Sequence, residues 1–293
     1  MSQAIFSGGL ATACGAQLKT SAPQLQIPAS PGQRELEVQV EALRKECTEL
    51  HSALFEAAQV HRRLCAPRLV RHGDFEIASE IFAVRHLPGD FFTVDEASGG
   101  VILALGDIAG KGLSAGMWTP HLAGLVRSHT AASSELREIA MGINRDLCRM
   151  SAVAPTASLF LATLDSGTGR LDYCSAGHPP TLLLRADGEL ELLSEGGPLL
   201  GVLPSAKFNS ASVELRAGDV LLAYSDGILE SRNSADEEFG YQLLESHLRR
   251  AQTGSADAVL FSVLGAVQDF AGACPLADDT SLVVVRRLAQ NHV

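Results

Sequence analysis

Between residues 33 and 66 the apolar side chains recur in alternating steps of four and three. They fall at Leu36, Val40, Leu43, Cys47, Leu50, Leu54, Ala57 and Leu64, with His61 in the remaining place. A seam at that spacing marks a helix, and charged residues flank it over roughly four heptads. The pattern predicts a coiled coil that makes the protein a homodimer. A single amphipathic helix lying on its own domain is the alternative. Cys47 and His61 would weaken the seam, which suits a helix that must move. Ahead of it, residues 1–32 are rich in Ser, Ala, Gly, Gln and Pro without a sustained period. They are expected to form a flexible tail.

From about residue 74 the period changes. "FEIASEIFAV" and "VILALGD" alternate or run apolar in short bursts, as strands do. "AGMWTPHLAGLVRSHTAA" and "SSELREIAMGINRDLCRMSA" have helical spacing, with Ser134 placed to cap the second helix. Short strands follow around 157–165, 170–175, 181–185, 190–194, 208–215 and 218–224, separated by the turn sequences "DSGTG", "RADGE" and "RAGD". Helices are expected near 240–251 and 256–271, then a last strand, "TSLVVV". This order lacks the βαβαβ rhythm of a doubly wound sheet. It predicts an α+β fold in which helices cover stacked antiparallel sheets.

The chain has 293 residues and a formal net charge of -11, from 23 basic and 34 acidic residues. That balance argues against nucleic acid as the main partner, because neutralising phosphates takes clustered Lys and Arg. Acidic clusters suit hard cations instead. The cysteines, at 14, 47, 65, 148, 174 and 274, include no CxxC pair. They read as reduced, mostly buried thiols of a cytoplasmic protein. No run approaches the roughly 18 apolar residues of a membrane span. "IFSGGLATAC" near the start has no basic residue before its apolar part, so a targeting role is not expected.

The segment "LALGDIAGKGLSAG", residues 103–116, carries the first chemical question: an apolar run enters a glycine-rich turn. A phosphate-binding P-loop needs GxxxxGK[ST]. Here Gly106 is one residue too close to the Gly-Lys pair, and Gly112 stands where the hydroxyl belongs. "GKGLSA" fits GxGxxA, but a dinucleotide-binding oxidoreductase also needs a βαβ unit with an acidic residue about 20 positions on. Glu135 has the interval but sits at a helix start. Asp107 remains. A carboxylate at the end of a buried strand is costly unless a cation or hydrogen-bond donors compensate it. Asp90, Asp226, Asp278 and Asp279 also flank apolar runs, and such sites can converge at one end of stacked sheets. Each alone could be turn chemistry. As a set they suit Mg²⁺ or Mn²⁺, which take oxygen ligands and serve displacement at phosphorus.

"PGDFF", "GDIAGKG", "SAGHPP", "GGPLLG", "YSDGILE" and "DDTSLVVV" stand in the order found in bacterial metal-dependent serine/threonine phosphatases. The chain thus resembles the PPM (PP2C-like) family of the SpoIIE and RsbU type, over about residues 55–287. The resemblance implies a four-layer α/β/β/α sandwich over residues 67–289, preceded by a helical regulatory segment at 33–66. It implies a site for two Mn²⁺ or Mg²⁺ ions. Asp107 would bridge them, Ile108 would add its carbonyl, and Asp226 and Asp278 would complete one shell. Asp90 would bind a metal or orient its water. Asp279 would support its neighbour, with the choice of ligand between Asp278 and Asp279 left open. Asp107, Asp226 and Asp90 are the expected catalytic residues. The implied reaction is attack by a metal-bridging hydroxide on a phosphoserine or phosphothreonine. The implied substrate is a phosphorylated signalling protein, often an anti-sigma-factor antagonist in a partner-switching pathway.

Two departures stand out. Pro88 replaces the first of two glycines before Asp90, and Thr93 replaces an Asp three residues after it. Asp95 is two positions too late to substitute. A catalytically weak or inactive binding module of the same fold is therefore the alternative. Among lesser residues, His178 is a loop-packing group or a general acid. Lys111 either meets the substrate phosphate or is simply solvated. Met117 and Trp118 are expected in helix core. Gly110 and Gly112 are expected to permit the turn.

Overall fold

The structure, a computed structural model, describes residues 30–65, 69–85, 87–97, 99–150 and 154–288. Of the expected tail, residues 1–29, with Cys14, lie outside the described residues. Pro31 and Gly32 already belong to the first helix. The chain divides into two compact units, Met1–Glu49 and Leu50–Val293. Helix α1 (Pro31–Cys65) runs across the division.

One sheet is antiparallel throughout. It contains β1 (Leu69–His72), β2 (Phe75–Phe82), β7 (Thr181–Leu184), β8 (Leu190–Leu193), β11 (Val220–Tyr224) and β12 (Thr280–Arg287), in the order β1-β2-β12-β11-β7-β8. The other contains β3 (Asp90–Ala97), β4 (Gly100–Ile108), β5 (Ala157–Asp165), β6 (Arg170–Ala176) and β10 (Ala211–Glu214), in the order β10-β6-β5-β4-β3. The two-residue strand β9 (Gly196–Gly197) pairs with β6 in parallel. Helices α2 (Leu113–Ala132) and α3 (Leu136–Arg149) cover the second sheet. The short α4 (Asp226–Leu229) follows β11, and α5 (Gly240–Ala251) and α6 (Ala256–Ala271) cover the first sheet.

The apolar bursts follow from burial on both faces. In β11, Leu221 and Ala223 pack between the sheets, while Val220, Leu222 and Tyr224 pack under α5 and α6. In β4, Val101, Leu103 and Leu105 face the other sheet, and Ala104 and Ile108 meet α2 and α3. The α/β/β/α sandwich is thus as expected. The nucleotide-binding alternative fails on topology, because β4 pairs antiparallel with both β3 and β5.

Several local expectations are corrected. Ser134 does not cap α3. The hydroxyl of Ser133 accepts from Glu135 N at 3.1 Å and donates to Glu138 at 3.2 Å, because the helix starts at Leu136. Met117 is 69% exposed rather than core, although Trp118 packs on the core. Of the described cysteines only Cys65 and Cys174 are buried, so the thiols are not mostly buried. The seam of α1 also shifts near its end. His61 and Cys65 are buried and Leu54 and Ala58 half-buried, while Ala57 and Leu64 are exposed. Arg62 pairs with Glu80 at 2.8 Å and Arg127 donates to the Leu64 carbonyl at 3.1 Å, anchoring this end of α1 to the sandwich.

Candidate metal centre

Antiparallel pairing sets the site. Asp90 opens β3 and Asp107 nearly closes β4, and the register places them directly opposite one another. Asp226 follows the end of β11, and Asp278 and Asp279 precede the start of its antiparallel neighbour β12. All five carboxylates therefore come to the same end of the two sheets. A cavity of about 530 Å³ opens there, lined by Asp107, Ile108, Lys111, His178, Asp226 and Asp278 among others.

Electrostatics tie the group together. Burial, then repulsion from Asp107, holds the Asp90 carboxyl well above the usual range, against the opposing pull of the Ser281 and Ser225 hydroxyls. Asp90 is 1% exposed and its Oδ2 has no hydrogen-bond partner. Burial and repulsion from Asp226 push Asp107 up to about 6. Burial also raises Asp226, with Asp278 adding to it, and raises Asp279. An orphaned buried carboxylate oxygen amid raised carboxyls is a cost that a bound cation removes. The donors are oxygens without a histidine cluster, which is the chemistry of Mg²⁺ and Mn²⁺. Among the described residues, however, no three His, Cys, Asp or Glu side chains are already closed around one point as in a filled site. The side chains fit a hard cation as a charge cluster that has yet to converge.

The flanking groups divide the labour. Asp279 accepts from Val84 N at 2.8 Å and Gly89 N at 2.7 Å, so both its oxygens hold backbone. Asp278 Oδ2 meets Lys111 Nζ at 2.7 Å, and its Oδ1 accepts from Asp279 N at 2.9 Å. Thr119 donates to the Pro88 and Gly89 carbonyls at 3.1 and 3.2 Å, fixing the turn before Asp90. Gly110 and Gly112 take φ of 117° and 75°, which accounts for glycine at both turn positions. His178 is buried, and burial drops its pKa to about 3; its Nδ1 lies 3.0 Å from Ser158 Oγ. A ring held neutral in this way packs the loop and is a poor proton donor at neutral pH. Thr93 is buried with its Oγ1 unpartnered, and Asp95 turns away to Arg127 at 3.1 Å. The backbone partners of Asp279, the Ser225 and Ser281 hydroxyls and the Lys111 ion pair were not anticipated. Only "YSD" and "DDTS", which set serines beside the acids, hinted at the hydroxyls.

A two-sheet sandwich with helices on both outer faces and an acidic end is a PP2C-like domain. The chain belongs to the SpoIIE family: the family described as Stage II sporulation protein E (SpoIIE) matches residues 97–288. Protein IcfG of Synechocystis sp. is 31% identical over 137 residues, which are 46% of this chain and 21% of that protein. Phosphoserine phosphatase RsbU of Bacillus subtilis is 24% identical over 243 residues, 82% of this chain and 71% of RsbU. The chain thus spans about a fifth of the first relative's length. The SiaA-PP2C domain of Pseudomonas aeruginosa superposes with a TM-score of 0.71 at 18% identity, covering 82% of this chain and 98% of that one. The catalytic domain of the serine/threonine protein phosphatase PstP, solved with 2 manganese ions, superposes at 0.52 with 18% identity, covering 73% and 99%.

Proposed function

We propose that this chain is a divalent-metal-dependent protein serine/threonine phosphatase. The observation that carries the reading is the gathering of Asp90, Asp107, Asp226, Asp278 and Asp279 at one end of the sandwich beside an open cavity. Asp107, opposite Asp90, would be the central holder of the ions, with Asp226, Asp278 and the Ile108 carbonyl as the further protein ligands. Asp90 would hold a metal or its water, and Asp279 would brace the loop. Bound there, Mn²⁺ or Mg²⁺ would supply an activated water and neutralise charge building on a phosphoryl group. The chain's own part is to present negative oxygens in fixed positions and to leave an open face for a phosphorylated side chain.

The substrate in this reading is a phosphoprotein of the anti-sigma-factor-antagonist kind, and the setting is the cytoplasm. Among the described residues no helix is long and apolar enough to cross a membrane. The N-terminal helix would pair two copies through residues 33–66. Release of phosphate from a phosphoserine peptide with added Mn²⁺ tests the activity. Wild-type turnover abolished in Asp107→Asn is the expected result; equal rates would overturn it. The competing reading, a non-catalytic module, draws on Thr93, whose buried hydroxyl stands where the family carries a carboxylate.

A further inference from the structure

We propose that Lys111 is a tethered counter-ion that competes with the divalent cation for Asp278 and so sets how tightly the site takes its metal. The inference rests on the metal-centre reading above and extends it to a residue that no ligand set includes.

Lys111 lies on the turn between Gly110 and Gly112, beyond the end of β4. Its ammonium reaches back to Asp278 Oδ2 at 2.7 Å and to the Ala277 carbonyl at 3.0 Å. A lysine has donors and no acceptor, so both contacts serve to place one positive charge. The other Asp278 oxygen is engaged by Asp279 N at 2.9 Å, so Oδ2 is the atom that a cation would have to win. The Lys111 side chain is 53% exposed, and an exposed ion pair is a weak contact that water readily replaces. The pair can therefore open without disturbing the fold. Lys111 holds one carboxylate in reserve, and a cation that took Asp278 Oδ2 would displace only the ammonium. The apparent dissociation constant is then the intrinsic one divided by the fraction of molecules with Asp278 unpaired.

The test is direct Mn²⁺ binding to the full chain, followed by the electron paramagnetic resonance of free Mn²⁺. Lys111→Gln is expected to bind about three- to fivefold more tightly than wild type. Arg85→Gln removes the same charge from a side chain that lies against Gly112 and is expected to change affinity by less than about twofold. Unchanged or weaker binding in Lys111→Gln would overturn the proposal. So would an equal gain in Arg85→Gln, which would reduce the effect to the general field. No binding by wild type or Lys111→Gln would overturn the metal centre and this inference together.

Discussion

Asp279 accepts the backbone N–H of Gly89 at 2.7 Å, joining segments 190 residues apart. With Val84 N on its other oxygen, Asp279 straps the loop that carries Asp90, whereas Asp278 lines the cavity and pairs with Lys111. The neighbours should therefore fail differently. Asp279→Asn leaves one strapped N–H without an acceptor and should cost about 1–3 kcal/mol of stability, read by thermal unfolding. Asp278→Asn should change stability by no more than about 0.5 kcal/mol but weaken Mn²⁺ binding. The reverse pattern would exchange their roles.

The raised carboxyls make a pH prediction with a definite sign. Asp107 titrates near 6 in the fold, against about 3.9 in an unfolded chain. Between those values the folded state binds more protons, so stability falls as pH rises. Metal-free protein should lose thermal stability from about pH 4 to 6, with Asp90 acting in the same direction. Asp107→Asn should flatten that slope. Mn²⁺ needs the charged carboxylates, so its stabilising effect should grow as pH passes 6. Equal slopes in wild type and variant would contradict the assignment.

Gly227, next to Asp226, has no room for a side chain: a Cβ there would lie 2.1 Å from the Asp279 carbonyl oxygen. Backbone cannot yield as a flexible side chain would. Gly227→Ala should cost about 1–3 kcal/mol and move Asp226 away from the β12 acids. Isothermal titration should show weakened Mn²⁺ binding at temperatures where the variant is still folded. Binding as tight as wild type would separate this close contact from the metal site.

The layers were legible because burial on both strand faces leaves its mark in local sequence, as in "VLLAY" and "SLVVV". The acids were legible because a carboxylate that ends an apolar run is conspicuous. Other features depend on long-range placement that spacing does not encode. Strand β9 is two residues long and exists only through its register with β6. The Lys111–Asp278 pair and the Asp279 strap are set by loops meeting across the sandwich. The shift of the α1 seam from Leu64 to Cys65 has the same cause. Contact with the sandwich, rather than the heptad, chooses the buried face there.

The start of α1 keeps its heptad positions in water. Leu36 and Leu43 are both 60% exposed in the single chain. Burying a leucine is worth about 1.5–3 kcal/mol, so two per chain across a pair of helices give a substantial drive to associate. The proposed homodimer should therefore fall apart when Leu36→Glu and Leu43→Glu are combined, which sets like charges along the seam. Light scattering after size exclusion should give twice the chain mass for wild type and the chain mass for the variant. Both positions lie in the Met1–Glu49 unit, so thermal unfolding of the sandwich should be unchanged. A wild-type mass equal to a single chain at micromolar concentration would remove the dimer from the proposal and leave α1 a helix serving its own domain.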